Sequence, residues 1–219
     1  LSGLTLPYRL DLIRGVVFSS PENLLTLSAS CGLQADSASV NGPYIDGPLR
    51  KEGLDNEPQF LFPVGKNGML RWLELKQASG NFTVEYMDGN PAVLGGDAGT
   101  GIDHISAVEY WKVKADGPAP VAANIELSYA SPWSGEVTDP AFLDVAGYSG
   151  GRWIDEGHAA ITGDILYGSV LSIPVHDFSG EAFTLASTAS LENPLPLTLV
   201  RFEGTEKDGY AFFSWETGP

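Results

Sequence analysis

Asn81-Phe82-Thr83-Val84-Glu85-Tyr86-Met87 is the stretch on which the fold turns. Phe82, Val84 and Tyr86 alternate with Thr83 and Glu85, the period of two that sends successive side chains to opposite faces of a strand. Upstream, Ser79-Gly80 reads as a hairpin joining this strand to a strand at residues 69–77, where Leu70, Trp72, Leu73 and Leu75 are apolar. Asn67-Gly68 is a turn signal before it, and residues 59–64 form a compact apolar strand. Downstream, residues 88–101 hold five glycines and a proline and read as loop. Residues 105–114 form a strand with Val108, Tyr110 and Lys112 on one face and Ala107, Glu109, Trp111 and Val113 on the other. Residues 124–129 alternate Ile125, Leu127 and Tyr129, and shorter strands are read at 142–146, 152–154, 159–161, 168–175 and 182–185. No window of about eleven residues carries a 3.6-residue period. The spacing of strands and turns predicts an all-β, mainly antiparallel β-sandwich with under about a tenth of its residues helical.

Both ends depart from this pattern. In residues 1–40, Leu10, Leu12 and Val16, a short strand at 15–20 and another at 24–28 give N-terminal extra strands, either a hairpin or a β-solenoid-like rung. Residues 41–190 are assigned to the sandwich. In residues 191–219, Pro194 and Pro196 fix φ and lack an N–H, so they form a stiff linker. Two apolar runs follow, around Leu197 and Leu199 and from Phe212 to Trp215, with Asp208-Gly209 as the turn between them. Two strands cannot bury a core. This end therefore reads as the start of a second, Ig-like or fibronectin-like module, with Leu197, Leu199, Phe212 and Trp215 as assembly contacts.

Asn193-Pro-Leu-Pro-Leu-Thr-Leu, Phe202 and Ser214-Trp215-Glu216-Thr217 also carry a resemblance, which extends upstream through Gly47-Pro48-Leu49, Phe62-Pro63-Val64-Gly65-Lys66, Asp103-His104-Ile105-Ser106, Glu109-Tyr110-Trp111 and residues 178–185. Together they resemble the region that precedes the C-terminal sorting domain of the type IX secretion system in large secreted and surface proteins of Bacteroidota. The resemblance implies an extracellular or cell-surface location and leaves activity open. It also draws attention to Asp36-Ser37-Ala38, which is similar to the sequence O-glycosylated on exported Bacteroidota proteins and makes Ser37 a candidate glycosylation site.

The chain has 28 acids against 12 bases, a net charge of −16, which argues against nucleic acid or anionic membrane as partners. No stretch approaches the ~18 apolar residues of a membrane span, so no membrane insertion is expected. No signal peptide is read at the start, and Leu1 reads as the beginning of a trimmed region. Cys31 is the single cysteine, excludes an internal disulfide, and reads as a small buried residue.

Four constellations bear on chemistry. Gly147-Tyr148-Ser149-Gly150-Gly151 fits the G-x-S-x-G pattern, with Asp164 and His176 in permissible order for a hydrolase. That motif needs a strand leading into a helix, whereas Arg152-Trp153-Ile154 is strand-like, so a Gly-rich β-turn is preferred. The three histidines, His104, His158 and His176, lack metal-ligand spacing, and His104 beside Asp103 reads as a capping group. Asp88, Asp97 and Asp103 flank or occupy the glycine-rich loop and are candidate ligands for a structural calcium, the one cofactor considered. Trp133, Tyr148 and Trp153 lie in or beside loops where rings can stack on sugars, with core packing as the alternative. The expected function is a non-catalytic extracellular β module acting in adhesion, assembly or display. Its partners would be neighbouring domains or subunits of the same protein. The second reading is a carbohydrate-binding module of a polysaccharide-degrading enzyme, and the third an esterase-like enzyme using Ser149.

Overall fold

The structure, a computed structural model, describes residues 3–56, 58–116, 122–194, 199–207 and 209–217. Strands dominate, and the helical content of the described residues is three short 3-10 turns, Leu54–Asn56, Pro91–Leu94 and Pro140–Phe142. The all-β expectation holds.

The chain enters through seven short strands: β1 (Leu4–Leu6), β2 (Arg9–Leu12), β3 (Val16–Phe18), β4 (Leu25–Leu27), β5 (Gly32–Ala35), β6 (Tyr44–Asp46) and β7 (Leu49–Lys51). Their pairings with one another are all parallel. β1 lies beside β4 and β4 beside β7, so that Leu4, Leu25 and Leu49 form a row. β2 pairs with β5 and β3 with β6. Each strand is followed by a corner rather than a reversal, and the next circuit stacks on the last, which is a short parallel solenoid. The corner at Gly47 has φ 120°, and a Cβ there would stand 2.2 Å from the Ser19 carbonyl oxygen, so only glycine fits.

The antiparallel part comprises β8 (Gln59–Phe62), β9 (Gly65–Lys66), β10 (Met69–Leu70), β11 (Leu73–Lys76), β12 (Asn81–Asp88), β13 (His104–Ile105), β14 (Glu109–Asp116), β15 (Asn124–Ala130), β16 (Leu143–Ser149), β17 (Arg152–Asp155), β18 (Ala160–Gly163), β19 (Tyr167–Leu171) and β20 (Ala182–Ser187). One sheet runs β1-β4-β7-β12-β14-β20-β16-β17, with β13 also on β20; the other runs β18-β19-β15-β11-β8. Asn67 and Gly68, both with positive φ, turn β9 into β10. β7 is the junction: it is parallel to β4 on one side and antiparallel to β12 on the other, where Leu49 meets Val84. Lys51, fully buried on β7, donates to the carbonyls of Ser28 and Ala29 at 3.0 and 2.9 Å and ties the coil's turn to this junction.

One expectation is corrected. Ser79-Gly80 does not close a hairpin between β11 and β12. β11 pairs with β8 and β15, whereas β12 pairs with β7 and β14. Gln77 and Gly80, at φ 57° and 90°, instead carry the chain over the edge of the sandwich from one sheet to the other. Both strands must face the same interior, and this crossing allows it.

The inner faces meet in one core. Phe82, Val84, Trp111, Val113, Val145, Phe183 and Leu185 oppose Phe62, Leu73, Leu75, Ile125, Leu127, Tyr129 and Val170. The same cluster continues into the coils through Leu12, Leu25, Leu27 and Cys31, and Cys31 is buried as expected. The outer face of the larger sheet carries a second cluster of Ile102, Tyr110, Ala146, Trp153, Ala182 and Ala186.

Because Leu27 on β4 belongs to the continuous core, Leu27→Ala should destabilise the whole chain, by about 3 kcal/mol. A urea titration followed by tryptophan fluorescence should show a single transition at lower denaturant. Separate melting of the coils, with the sandwich unaffected, would contradict a shared core.

Candidate functional site

The residues expected to act together fall into three places. The first is the outer face of the larger sheet. Gly150 and Gly151, at φ 57° and 82°, make a two-residue turn between β16 and β17 that sets Ser149 opposite Arg152 and Tyr148 opposite Trp153. This is the tight hairpin that positive φ at both central positions favours, and no helix follows Ser149. The Ser149 hydroxyl donates to Asp177 Oδ2. That bond, together with bonds from Ser179, holds the Asp177 carboxyl below its usual range, so it stays ionised. Asp164 Oδ1 accepts the backbone N–H groups of Leu166 and Tyr167 in a turn of its own.

Trp153 is fully buried, so it offers no ring face to a sugar. It packs against Tyr148 with ring centroids 5.1 Å apart, and the Tyr148 hydroxyl donates to the Leu94 carbonyl at 2.7 Å. The glycine-rich loop lies over this pair. Gly99 N–H donates to the Trp153 carbonyl at 2.8 Å, and Trp153 N–H donates to the Asp97 carbonyl at 3.1 Å. A Cβ at Gly96 would stand 2.5 Å from the Gly151 carbonyl oxygen. The glycines serve this close approach to β17. The three aspartates proposed for calcium are used separately: Asp88 accepts from the Asn67 amide, Asp103 from His104 at 2.8 Å, and Asp97 through its backbone. Among the described residues no group of three or more His, Cys, Asp or Glu side chains is placed to hold an ion. His104 also contacts the Asn193 carbonyl at 2.8 Å and so anchors the loop at residues 188–193.

The second place is one end of the sandwich. Trp133 is half exposed on the loop after β15, which contains a cis Ser131-Pro132 bond. Ser134 closes the loop: its N–H donates to the Ala130 carbonyl, and its hydroxyl accepts the Ala130 N–H, both at 2.9 Å. Beneath lies Arg71, which has no solvent exposure. Its Nη2 donates to the Ala130 carbonyl at 3.4 Å, Nη1 to the Leu70 carbonyl at 3.1 Å, and Nε to Glu109 Oε2 at 3.2 Å. The Tyr86 hydroxyl donates to the same Glu109 oxygen at 2.9 Å. Burial pushes the Glu109 carboxyl up, opposed first by Arg71, then by Ser134 and Tyr86. Glu109 Oε1 is buried without a bonded partner; the Ser134 hydroxyl nearby favours the carboxylate but lacks bond geometry to that oxygen. Close by in the fold, Trp72 Nε1 donates to the Tyr167 hydroxyl at 2.9 Å, which donates to the Ser37 carbonyl at 2.7 Å. Ser37 is half-buried, between an Asp36 side chain that accepts the Ala38 N–H and this anchor.

Sequence reasoning missed this pair. The signal was the phase of Glu109, which shares the inward face with Trp111 and Val113. Also missed was a carboxylate-rich edge. His158 Nδ1 meets Asp144 Oδ1 there, and Glu156 is pushed up to about 7 by burial and then by the charges of Asp155 and Asp177.

The third place is the C-terminal hairpin, β21 (Leu199–Lys207) and β22 (Tyr210–Thr217), which pair with each other and with no other described strand. Leu197 lies outside the described residues, and of Leu199 and Trp215 only the backbone is described. Phe212 is exposed, as are Phe202, Tyr210 and Phe213. Phe213 stacks on Phe202 with centroids 5.7 Å apart and lies over Gly204. By cross-strand register Phe202 and Phe213 share one face, and Tyr210 and Phe212 the other.

Comparison with protein families, with curated proteins and with solved structures found no match.

Two outcomes follow. Arg71→Met should cost about 3–5 kcal/mol, because it strands the Glu109 charge in the interior; guanidinium unfolding at neutral pH reads this. Glu156 has a folded-state pKa raised from 4.5 to about 7. The folded chain therefore binds more protons between those values, and stability falls as pH rises through that window. Glu156→Gln should be neutral at pH 4 and stabilising at pH 8 by about 1 kcal/mol, after discounting for solvent screening. An equal effect at both pH values would refute the assignment.

Proposed function

We propose that the chain is a non-catalytic extracellular β module of a larger secreted or surface protein, acting in adhesion, assembly or display, and that its C-terminal hairpin is the contact. The observation that carries this reading is the hairpin itself, with Phe202, Tyr210, Phe212 and Phe213 exposed on two faces. A two-stranded ribbon is marginal alone in water, and four open aromatic rings on one ribbon are characteristic of interaction surfaces rather than of a solvated tip. The bond from Ser149 to Asp177 in a tight turn favours a structural role for that serine over a nucleophilic one. The resemblance to regions preceding type IX sorting domains supports the location.

A specific observation favours the second reading, a carbohydrate-binding module: Trp133 stands half exposed on a loop braced from below by Arg71. Of the three aromatic residues considered for sugar stacking, it alone combines a loop position with an open ring.

Removing residues 195–219 should leave the sandwich folded and abolish self-association of the chain, read by light scattering. Undiminished association, or loss of folding, would place the hairpin's role elsewhere. Retention of the chain on an insoluble polysaccharide, lost in Trp133→Ala but not in the truncated chain, would instead favour the second reading.

A further inference from the structure

We propose that the open edge of the first coil, formed by β1, β2 and β3, docks a further parallel coil of the same kind, carried by polypeptide joined ahead of Leu4. This goes beyond the reading of the C-terminal hairpin and does not depend on it, since it concerns the opposite end of the molecule.

The first support is the difference between matched positions of successive coils. Leu4 is 59% exposed, and Leu25, its partner one coil on, 5%; Val16 is 37% exposed against 5% for Tyr44; Val17 is 36% exposed against 0% for Ile45. The second coil is covered because strands lie on both sides of it: β4 sits between β1 and β7, and β6 gains a parallel bridge from Ile45 to Val64. Among the described strands the first coil has a neighbour on one side only. Leu6 and Leu10 are already partly buried against the core, so the inward column is in place and ends at an open rim.

The second support is the direction of the backbone. Leu4 N–H donates to the Leu24 carbonyl, and the Leu6 carbonyl accepts the Ser28 N–H, so both residues are spent on β4. In a parallel ladder bonded residues alternate, and Thr5 therefore presents its N–H and C=O outward. The bond from Gly32 N–H to the Tyr8 carbonyl leaves Arg9 and Asp11 facing out in the same way. Those from Tyr44 N–H to the Gly15 carbonyl and from Ser19 N–H to the Asp46 carbonyl leave Val16 and Phe18 outward. Three strand edges thus continue an interface that the molecule already makes between its own coils.

The geometry favours a further coil over a second copy of the chain. A copy related by a two-fold axis would meet this edge with strands reversed and lose the parallel register. A head-to-tail copy would need the opposite side of the coils, which β12 occupies through β7. The offsets of the ladders, from Leu4 to Leu25, Arg9 to Gly32, Val16 to Tyr44 and Leu25 to Leu49, give the length of the expected coil as 21 to 28 residues.

The test uses the full chain with a second copy of residues 4–24 inserted ahead of Leu4, and, separately, with a copy of residues 25–48 there. Hydrogen exchange at the amides of Thr5, Arg9, Asp11 and Val16 should slow at least about tenfold in one of the extended chains, whose association state by sedimentation should match that of the parent chain. Thr5→Pro removes one outward N–H. It should leave the thermal midpoint of the parent chain unchanged and cancel the protection in the extended chain. Exchange as fast in both extended chains as in the parent overturns the proposal. Protection of the same amides in the parent chain as its concentration rises would also overturn it, because the occupant would then be a second copy.

Discussion

A guanidinium and a carboxylate without solvent contact join the two sheets at one end of the sandwich, and the geometry of that end depends on them. Glu109 begins β14 on the larger sheet, and Arg71 precedes β11 on the smaller one. Around them, Tyr86 of β12 donates to Glu109, Thr184 of β20 donates to its carbonyl at 2.6 Å, and Trp111 donates its indole N–H to the Arg71 carbonyl at 2.9 Å. Three strands of the larger sheet, the Ala130 carbonyl of the smaller one and the Leu70 carbonyl of β10 are thus referred to a single ion pair. Burying such a pair is not in itself a gain over an apolar contact, because desolvation offsets attraction. What the pair supplies is register: a misaligned strand would strand a charge in the interior.

The core strands were legible because they alternate. Phe82, Val84 and Tyr86 face the core as their spacing predicts, and Asn67-Gly68 turns as its chemistry demands. Ser79-Gly80 misled because a turn signal states that the chain reverses, not which sheet receives it. Glu109 was visible as a charge in phase with Trp111 and Val113, but its partner stands 38 residues away, beyond any local pattern. The parallel coils left no fixed repeat, since their offsets differ from ladder to ladder. Acidic, glycine-rich loops serve both cation binding and close packing, and the sequence of residues 88–103 does not separate the two. Only the position of β17 reveals that the glycines permit close backbone contact.

That loop also explains the composition of the larger sheet. Strands buried on one face alternate, as β14 does beyond Trp111, whereas β20 is a run of apolar and small residues buried throughout. Tyr110, Ala182 and Ala186 point away from the main core into the second cluster under residues 89–103. Three alanines, Ala146, Ala182 and Ala186, leave room there for the rings of Tyr110 and Trp153 beneath the loop.

The strand order carries a consequence for the way the chain comes together in time. β20 lies between β14 and β16, pairing Phe183 with Trp111 on one side and with Gly147 on the other. During synthesis, β14 and β16 are complete while the strand that joins them is still to come. Each then exposes a backbone edge and an apolar face, the conditions under which chains aggregate. Pairings of such sequence separation also form slowly. The coils, whose contacts span far fewer residues, can order early and give β7 as a ready edge for β12. Closure of the larger sheet therefore has to wait for residues 182–187.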